Sequence, residues 1–133
     1  RLPVWNPYVH AGHPFLADPQ AAVFYPIQDL WLFFSAPVWL PWLRYYLLEV
    51  EAISHFVLAG FFTYLLAYEL LNNRRAAFVA GVVFAFSGYL TGYPPLQLAI
   101  LRTAIWLPLI LWLLLRGVRR PGRFGYWLGA TVA

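Results

Sequence analysis

The sequence predicts an all-α, polytopic membrane protein, in which an external loop containing interfacial helices precedes three to four transmembrane helices. Hydrophobic residues make up 62% of the 133 residues and charged residues only 11%, whereas a soluble domain carries about 25% charged residues. All nine basic residues are arginines, and they lie at the ends of long apolar runs, where membrane topology places them. This placement argues against a nucleic-acid-binding patch. The lack of cysteine excludes disulfides and thiolate metal sites within this segment.

The external loop is predicted to cover residues 1–47, and its first part, residues 1–26, is rich in proline and aromatic residues. Each proline disfavours a helix at the residue before it, so a structured, largely non-helical loop is expected. A short helix is predicted over residues 18–25. Asp18 can cap that helix, and Pro19 is tolerated at its first position.

Residues 27–47 are apolar but contain Pro37 and Pro41. Tryptophan and tyrosine are frequent here, and both favour the headgroup level of a membrane. The pattern predicts two proline-separated helical pieces that lie in the membrane interface. The alternative is one kinked helix that crosses the membrane, since about 20 apolar residues suffice for a span.

The remaining residues, 48–133, are predicted to form the transmembrane helices. Their apolar runs have the length that a hydrocarbon core of about 30 Å requires. Pro108 predicts a kink, and residues 116–123 read as a basic loop. Because the apolar pattern is cut at the end of the sequence, we expect a fragment of a longer protein. The expected spans are residues 48–71, 76–93, 96–115 and, in part, 124–133.

Orientation is predicted from the distribution of arginine between the short loops. The side with more arginine should be cytoplasmic, which places residues 1–47 and the turn at 94–102 outside. At the cytoplasmic end, Glu69 is expected to pair with Arg74 and Arg75. The arginines assigned to that side are Arg74, Arg75, Arg116, Arg119, Arg120 and Arg123.

Candidate binding residues are densest among the aromatics of the external loop. Such mixtures of flat apolar faces and hydrogen-bonding groups suit carbohydrate and phosphate, but the same groups can simply cap the turns of the loop. A metal site is not predicted there, because the two histidines share no helical face and a fourth ligand is missing. The polar residues are Asn6, His10, His13, Asp18, Gln20 and Tyr25.

Three ionisable residues of the predicted helices are further candidates for substrate binding. Glu51 and His55 are four residues apart and share a helix face, so they can do acid–base work. The alternative is a solvated Glu51 and a His55 that merely packs. Arg102 can hold a phosphate bidentately or can reach out to lipid phosphate. No self-sufficient catalytic motif is present, and no catalytic residue is assigned.

The order of motifs resembles the YfhO family of bacterial membrane proteins, within the GT-C class of multi-spanning glycosyltransferases. The resemblance covers nearly the whole sequence and is most specific in the loop. In the helices it continues through His55, Gly60, Tyr64, Phe86-Ser87-Gly88 and Trp106-Leu107-Pro108-Leu109. In the loop it is carried by Leu2-Pro3-Val4-Trp5-Asn6-Pro7-Tyr8, Gly12-His13-Pro14, Ala17-Asp18-Pro19-Gln20 and Phe24-Tyr25-Pro26.

This resemblance implies a membrane enzyme of the bacterial plasma membrane. The donor would be a sugar on a polyprenyl-phosphate carrier, and the acceptor would be a cell-envelope glycan or polymer on the outer face. The acidic base of the class would lie upstream of this sequence, and a divalent metal in the longer protein is compatible with the class. The loop residues that would line the substrate site, by matching the family pattern, are Trp5, Asn6, His13, Asp18, Gln20 and Tyr25.

Two non-enzymatic functions are alternatives. A flippase or transporter of a lipid-linked substrate would use broken helices and ionisable residues near the membrane midplane, and the midplane of each predicted span is almost wholly apolar. An assembly subunit would leave the polar external loop unexplained. The enzyme is therefore the leading prediction.

Overall fold

The structure is a computed structural model that describes residues 4–8, 11–18, 23–35, 41–92, 98–119 and 124–132. These residues form seven α-helices, one short 3-10 helix and an isolated β-bridge, with no strand among them, which confirms the all-α class. The chain divides into two compact units, unit 1 (Arg1–Glu51) and unit 2 (Ala52–Ala133).

Unit 1 contains the 3-10 helix Phe15–Ala17 and the helix α1, Pro26–Ser35. The short helix expected over residues 18–25 falls partly on 19–22, which lie outside the described residues, and residues 23–25 are not helical. The helix begins at Pro26 instead. Proline suits that first position because its fixed φ is already helical and the N–H that it lacks would have no partner there.

Helix α2 (Pro41–Leu71) has 31 residues and is about 46 Å long at 1.5 Å per residue. The sequence suggested an interfacial piece that ends before a span beginning at residue 48, whereas the structure has no break there. Pro41 lies at the first helical position and so starts the helix without interrupting it. The part Tyr46–Leu71 is long and apolar enough to cross a membrane.

Helix α3 (Arg74–Ala85) turns back along α2 through the two asparagines between them. Asn72 adopts a left-handed φ of 51°, which ends α2, and the Asn73 side chain accepts hydrogen bonds from the backbone N–H groups of Arg75 and Ala76 at 3.0 and 3.3 Å. The two helices then touch at glycine: a Cβ on Gly81 would lie 2.6 Å from the Gly60 carbonyl oxygen.

The predicted span over residues 76–93 is not one continuous helix in the structure. Helix α3 ends at Ala85, and the four-residue helix α4 (Gly88–Thr91) follows after a break. Ser87 is the N-cap of α4, because its Oγ accepts from the Leu90 N–H at 3.4 Å. A third membrane crossing here stays a prediction.

Helices α5 (Leu98–Ala104) and α6 (Trp106–Arg119) are separated only by Ile105. Pro108 has no N–H to donate to the carbonyl of Ala104, four residues earlier. The break between α5 and α6 therefore lies at the kink that Pro108 predicts. Leu98–Arg119 is the second segment long and apolar enough to cross a membrane. Helix α6 continues one turn past the expected end at residue 115.

Helix α7 (Phe124–Val132) packs against α6. A Cβ on Gly117 would lie 3.0 Å from the Trp127 ring, and one on Gly129 would lie 3.3 Å from Leu113. A separate apolar cluster joins α2, α4 and the junction of α5 with α6. Its buried members are Ala59, Leu90, Leu101 and Ile105.

Candidate functional site

A small closed loop in unit 1 brings together several of the predicted binding residues. Asn6 and His13 form an antiparallel bridge in which each backbone N–H donates to the carbonyl of the other at 2.8 Å. The Asn6 side chain also stabilises the loop, because its Oδ1 accepts a hydrogen bond from the Tyr8 N–H at 3.0 Å. The backbone of this polar segment is therefore held by paired hydrogen bonds.

Gly12 allows the Trp5 ring to pack closely against the backbone of this loop. Its φ of 120° lies in the region that favours glycine, and a Cβ there would lie 2.5 Å from Cζ2 of the Trp5 ring. The indole therefore packs directly on the glycine backbone. Trp5 still has 59% of its surface exposed, so the loop presents a fixed aromatic face to a ligand.

His13 and Asp18 form the polar pair of the loop. Their Nε2 and Oδ2 atoms lie 3.0 Å apart, and the two side chains are 35% and 25% exposed. The 3-10 turn Phe15–Ala17 produces this approach, because it brings Asp18 back toward the bridge. Partly exposed, oriented hydrogen-bonding groups of this kind can bind the hydroxyl groups of a small polar ligand.

The loop contains three further candidate residues, Tyr25, His10 and Gln20. Tyr25 is half-buried and lies one residue before α1. His10 and Gln20 lie outside the described residues. Within the described ranges, no three His, Asp or Glu side chains converge so as to hold a metal ion.

Glu51 and His55 lie one turn apart on α2 and are both buried, with 2% and 0% of their surface exposed. The alternative of a water-exposed Glu51 is therefore wrong. Arg102, in α5, is buried as well, at 7% exposed, which contradicts an arginine that reaches out to lipid. In unit 2, His55 precedes the buried Ala59 by one turn, and Arg102 adjoins the buried Leu101. Each of the three ionisable residues has an interaction partner.

Glu69 has partners that the sequence analysis missed. It accepts from Arg116 Nε at 2.9 Å, and Arg119 Nη1 lies 3.5 Å from its other carboxylate oxygen and 2.9 Å from its backbone carbonyl oxygen. The predicted pairing with Arg74 and Arg75 is wrong. The spacing of Arg116 and Arg119, three residues apart on one helix face, was the signal, but it was hidden because these residues were assigned to a loop.

Comparison with known proteins gives no relative: no family model, curated protein or solved structure matches this chain. The resemblance of the loop motifs to the YfhO family therefore stays a prediction. Two helices with the length and composition of membrane spans support a membrane protein.

Proposed function

We propose that this chain is part of a membrane glycosyltransferase that moves a sugar from a polyprenyl-phosphate carrier to an acceptor on the outer face of the membrane. The observation that carries the proposal is the ordered loop of unit 1, in which the exposed Trp5 ring lies on Gly12 and the next residue, His13, is hydrogen-bonded to Asp18. The resemblance of this motif order to the YfhO family supports the same function.

The chemistry of the loop suits a sugar. A pyranose has apolar C–H faces that pack on an aromatic ring and hydroxyl groups that need hydrogen-bond partners. Trp5 supplies the ring, and the exposed Tyr8 can add a second. The carboxylate of Asp18 accepts hydroxyl hydrogen bonds, and charge-assisted bonds of this kind are about twice as strong as neutral ones.

Unit 2 offers a separate candidate for binding phosphate, the buried Arg102. An arginine suits phosphate because its planar guanidinium donates two parallel hydrogen bonds, and Arg102 is held inside the protein. Ionisable groups among membrane helices are candidates for functional sites by default. Charge stabilisation at the departing lipid phosphate would then carry much of the rate.

Two observations favour the second candidate function, a flippase or transporter of a lipid-linked substrate. Helices break at Ser87 and at Ile105, and His55 lies about 5 Å from the centre of Tyr46–Leu71 at 1.5 Å per residue. Transporters use interrupted helices and ionisable groups at that depth. This function needs carrier movement across the bilayer without sugar transfer.

Removing either partner of the loop pair is expected to slow sugar transfer. In the intact protein, reconstituted with a polyprenyl-phosphate sugar, His13→Ala and Asp18→Ala should each lower the rate by roughly tenfold or more, since a hydrogen bond to a charged group contributes about 1.5–3 kcal/mol. Asp18→Asn should retain more activity because the amide keeps the hydrogen bond to His13. Asp29→Ala, an exposed acid on α1, serves as the control.

The outcomes of this experiment separate the two functions. Transfer that is lost in the alanine variants and kept in the control supports the enzyme. Unchanged transfer in both alanine variants removes the loop from the site. Movement of the carrier across the bilayer, with no transfer from any carrier tried, replaces the enzyme by the transporter.

The proposed orientation has residues 1–47 outside the bacterial plasma membrane. Because the chain has no cysteine, single cysteines can report it in a background without others. A membrane-impermeant maleimide should label Tyr8→Cys in intact cells and Leu71→Cys only after permeabilisation. Labelling of Leu71→Cys from outside would reverse the proposed topology. Both positions are exposed.

A further inference from the structure

The two segments that are long enough to cross a membrane have their C-terminal ends side by side in unit 2. Glu69 lies in the last turn of α2, and Arg119 is the last residue of α6. The bonds from Arg116 and Arg119 to Glu69 therefore bring the C-terminal ends of Tyr46–Leu71 and Leu98–Arg119 to one level. If these helices cross a membrane, this level is that of the lipid headgroups.

The surface at this level is strongly basic. Arg74 follows Glu69 by five residues, so the two backbones are at most about 18 Å apart. The surface defined by Arg74, Arg75, Arg116 and Arg119, here called the arginine end, carries four positive charges. Glu69 is the single acidic residue of the sequence from 52 to 133. Four positive charges and one negative charge leave a net charge of +3.

The arginines of this surface divide into two pairs. Arg116 and Arg119 are fixed by Glu69, and the Arg116 guanidinium also lies 4.3 Å from the centre of the Trp112 ring. Arg74 and Arg75 are exposed at the start of α3, and neither forms an ion pair within the described part of the chain. The Asn73 side chain already accepts from the N–H groups of Arg75 and Ala76, so the two guanidinium groups are the main donors on this side.

We propose that the arginine end binds the phosphate groups of anionic lipid headgroups, with Arg74 and Arg75 as the principal contacts and Glu69 as the group that positions Arg116 and Arg119. Its level at the ends of two apolar helices selects a lipid over a soluble anion. Arginine suits the phosphodiester because it donates two parallel hydrogen bonds. The excess of positive charge adds long-range attraction to an anionic leaflet.

The test uses the intact protein in nanodiscs of phosphatidylcholine alone or with phosphatidylglycerol, and measures lipid binding by native mass spectrometry. Arg74→Gln with Arg75→Gln should weaken phosphatidylglycerol binding about 30-fold. The expected loss is about fivefold per arginine, since each basic residue near an anionic surface contributes about 1 kcal/mol. Arg74→Lys with Arg75→Lys should lose less, because it keeps the charge.

Three results would overturn the proposal. Phosphatidylglycerol binding that is unchanged in the glutamine variant would exclude Arg74 and Arg75. Equal retention of phosphatidylglycerol and phosphatidylcholine by the unaltered protein would exclude selection of the anionic lipid. Displacement of the lipid by millimolar inorganic phosphate would make this a site for soluble anions. Circular dichroism of each variant separates these results from loss of fold.

Discussion

Gly81→Ala is expected to lower the free energy of unfolding by about 1–3 kcal/mol, the usual cost of overpacking. The new Cβ would lie 2.6 Å from the Gly60 carbonyl oxygen, and a backbone atom cannot rotate away as a side chain can. Helices α2 and α3 would have to separate. Denaturation of the purified protein in detergent, with circular dichroism as the signal, measures the change.

Gly88→Ala is the matched control for that experiment. A Cβ at Gly88 meets nothing within 4 Å, and alanine is the better residue in a helix by about 0.5–1 kcal/mol. This variant should be neutral or slightly more stable. An equal loss of stability in both variants would mean that the α2–α3 contact is not a tight one.

The second large effect is expected at Glu69. Glu69→Gln removes the charge but keeps the shape, and it leaves Arg116 and Arg119 facing each other without a carboxylate. The expected loss is about 1.5–3 kcal/mol, the range for hydrogen bonds to charged groups. The side chains of Glu69 and Arg116 are 16% and 28% exposed, so salt should screen this pair less than a fully exposed one. Arg119 is 47% exposed, so its contribution should be the more sensitive to salt. Denaturation at low and high salt measures the loss of unfolding free energy and its dependence on salt.

Glu49→Gln provides the control for Glu69→Gln on the same helix, because Glu49 is exposed. Its effect should stay within about 0.5 kcal/mol, as is usual for surface positions. Combining Glu69→Gln with Arg116→Gln should cost less than the sum of the two single losses, since contacting residues couple. Strict additivity would show that the two side chains do not interact.

The helical class could be predicted from the sequence because composition and the lengths of apolar runs are local properties. The small residues of residues 76–93 show the limit of this reasoning. Small residues in a predicted span allow close helix contact, but of Gly81, Ser87 and Gly88 only Gly81 meets the backbone of another helix. Ser87 caps α4, and a Cβ on Gly88 would meet nothing within 4 Å. Which small residue faces a neighbour depends on the rotation of the helix, which the composition of the run does not determine.

The candidate site, too, could be predicted from the sequence only in part. The loop residues could be singled out from the sequence because polar and aromatic types alternate there with proline and glycine. The way they meet could not, because the approach of His13 to Asp18 depends on the 3-10 turn between them and that of Trp5 on the φ of Gly12. The partners of Glu69 were missed because they lie 47 and 50 residues away.

The separation of 47 residues between Glu69 and Arg116 has a consequence while the protein is being synthesised. At about 5–20 residues per second, Arg116 leaves the ribosome roughly 2 to 10 s after Glu69. Through that interval, the nascent α2 and α3 can already pair through their short turn, while the carboxylate at the end of α2 has no arginine from α6 to bind. The glycine contact is thus available early, and the ionic contact is a late step that closes α6 onto a hairpin already made.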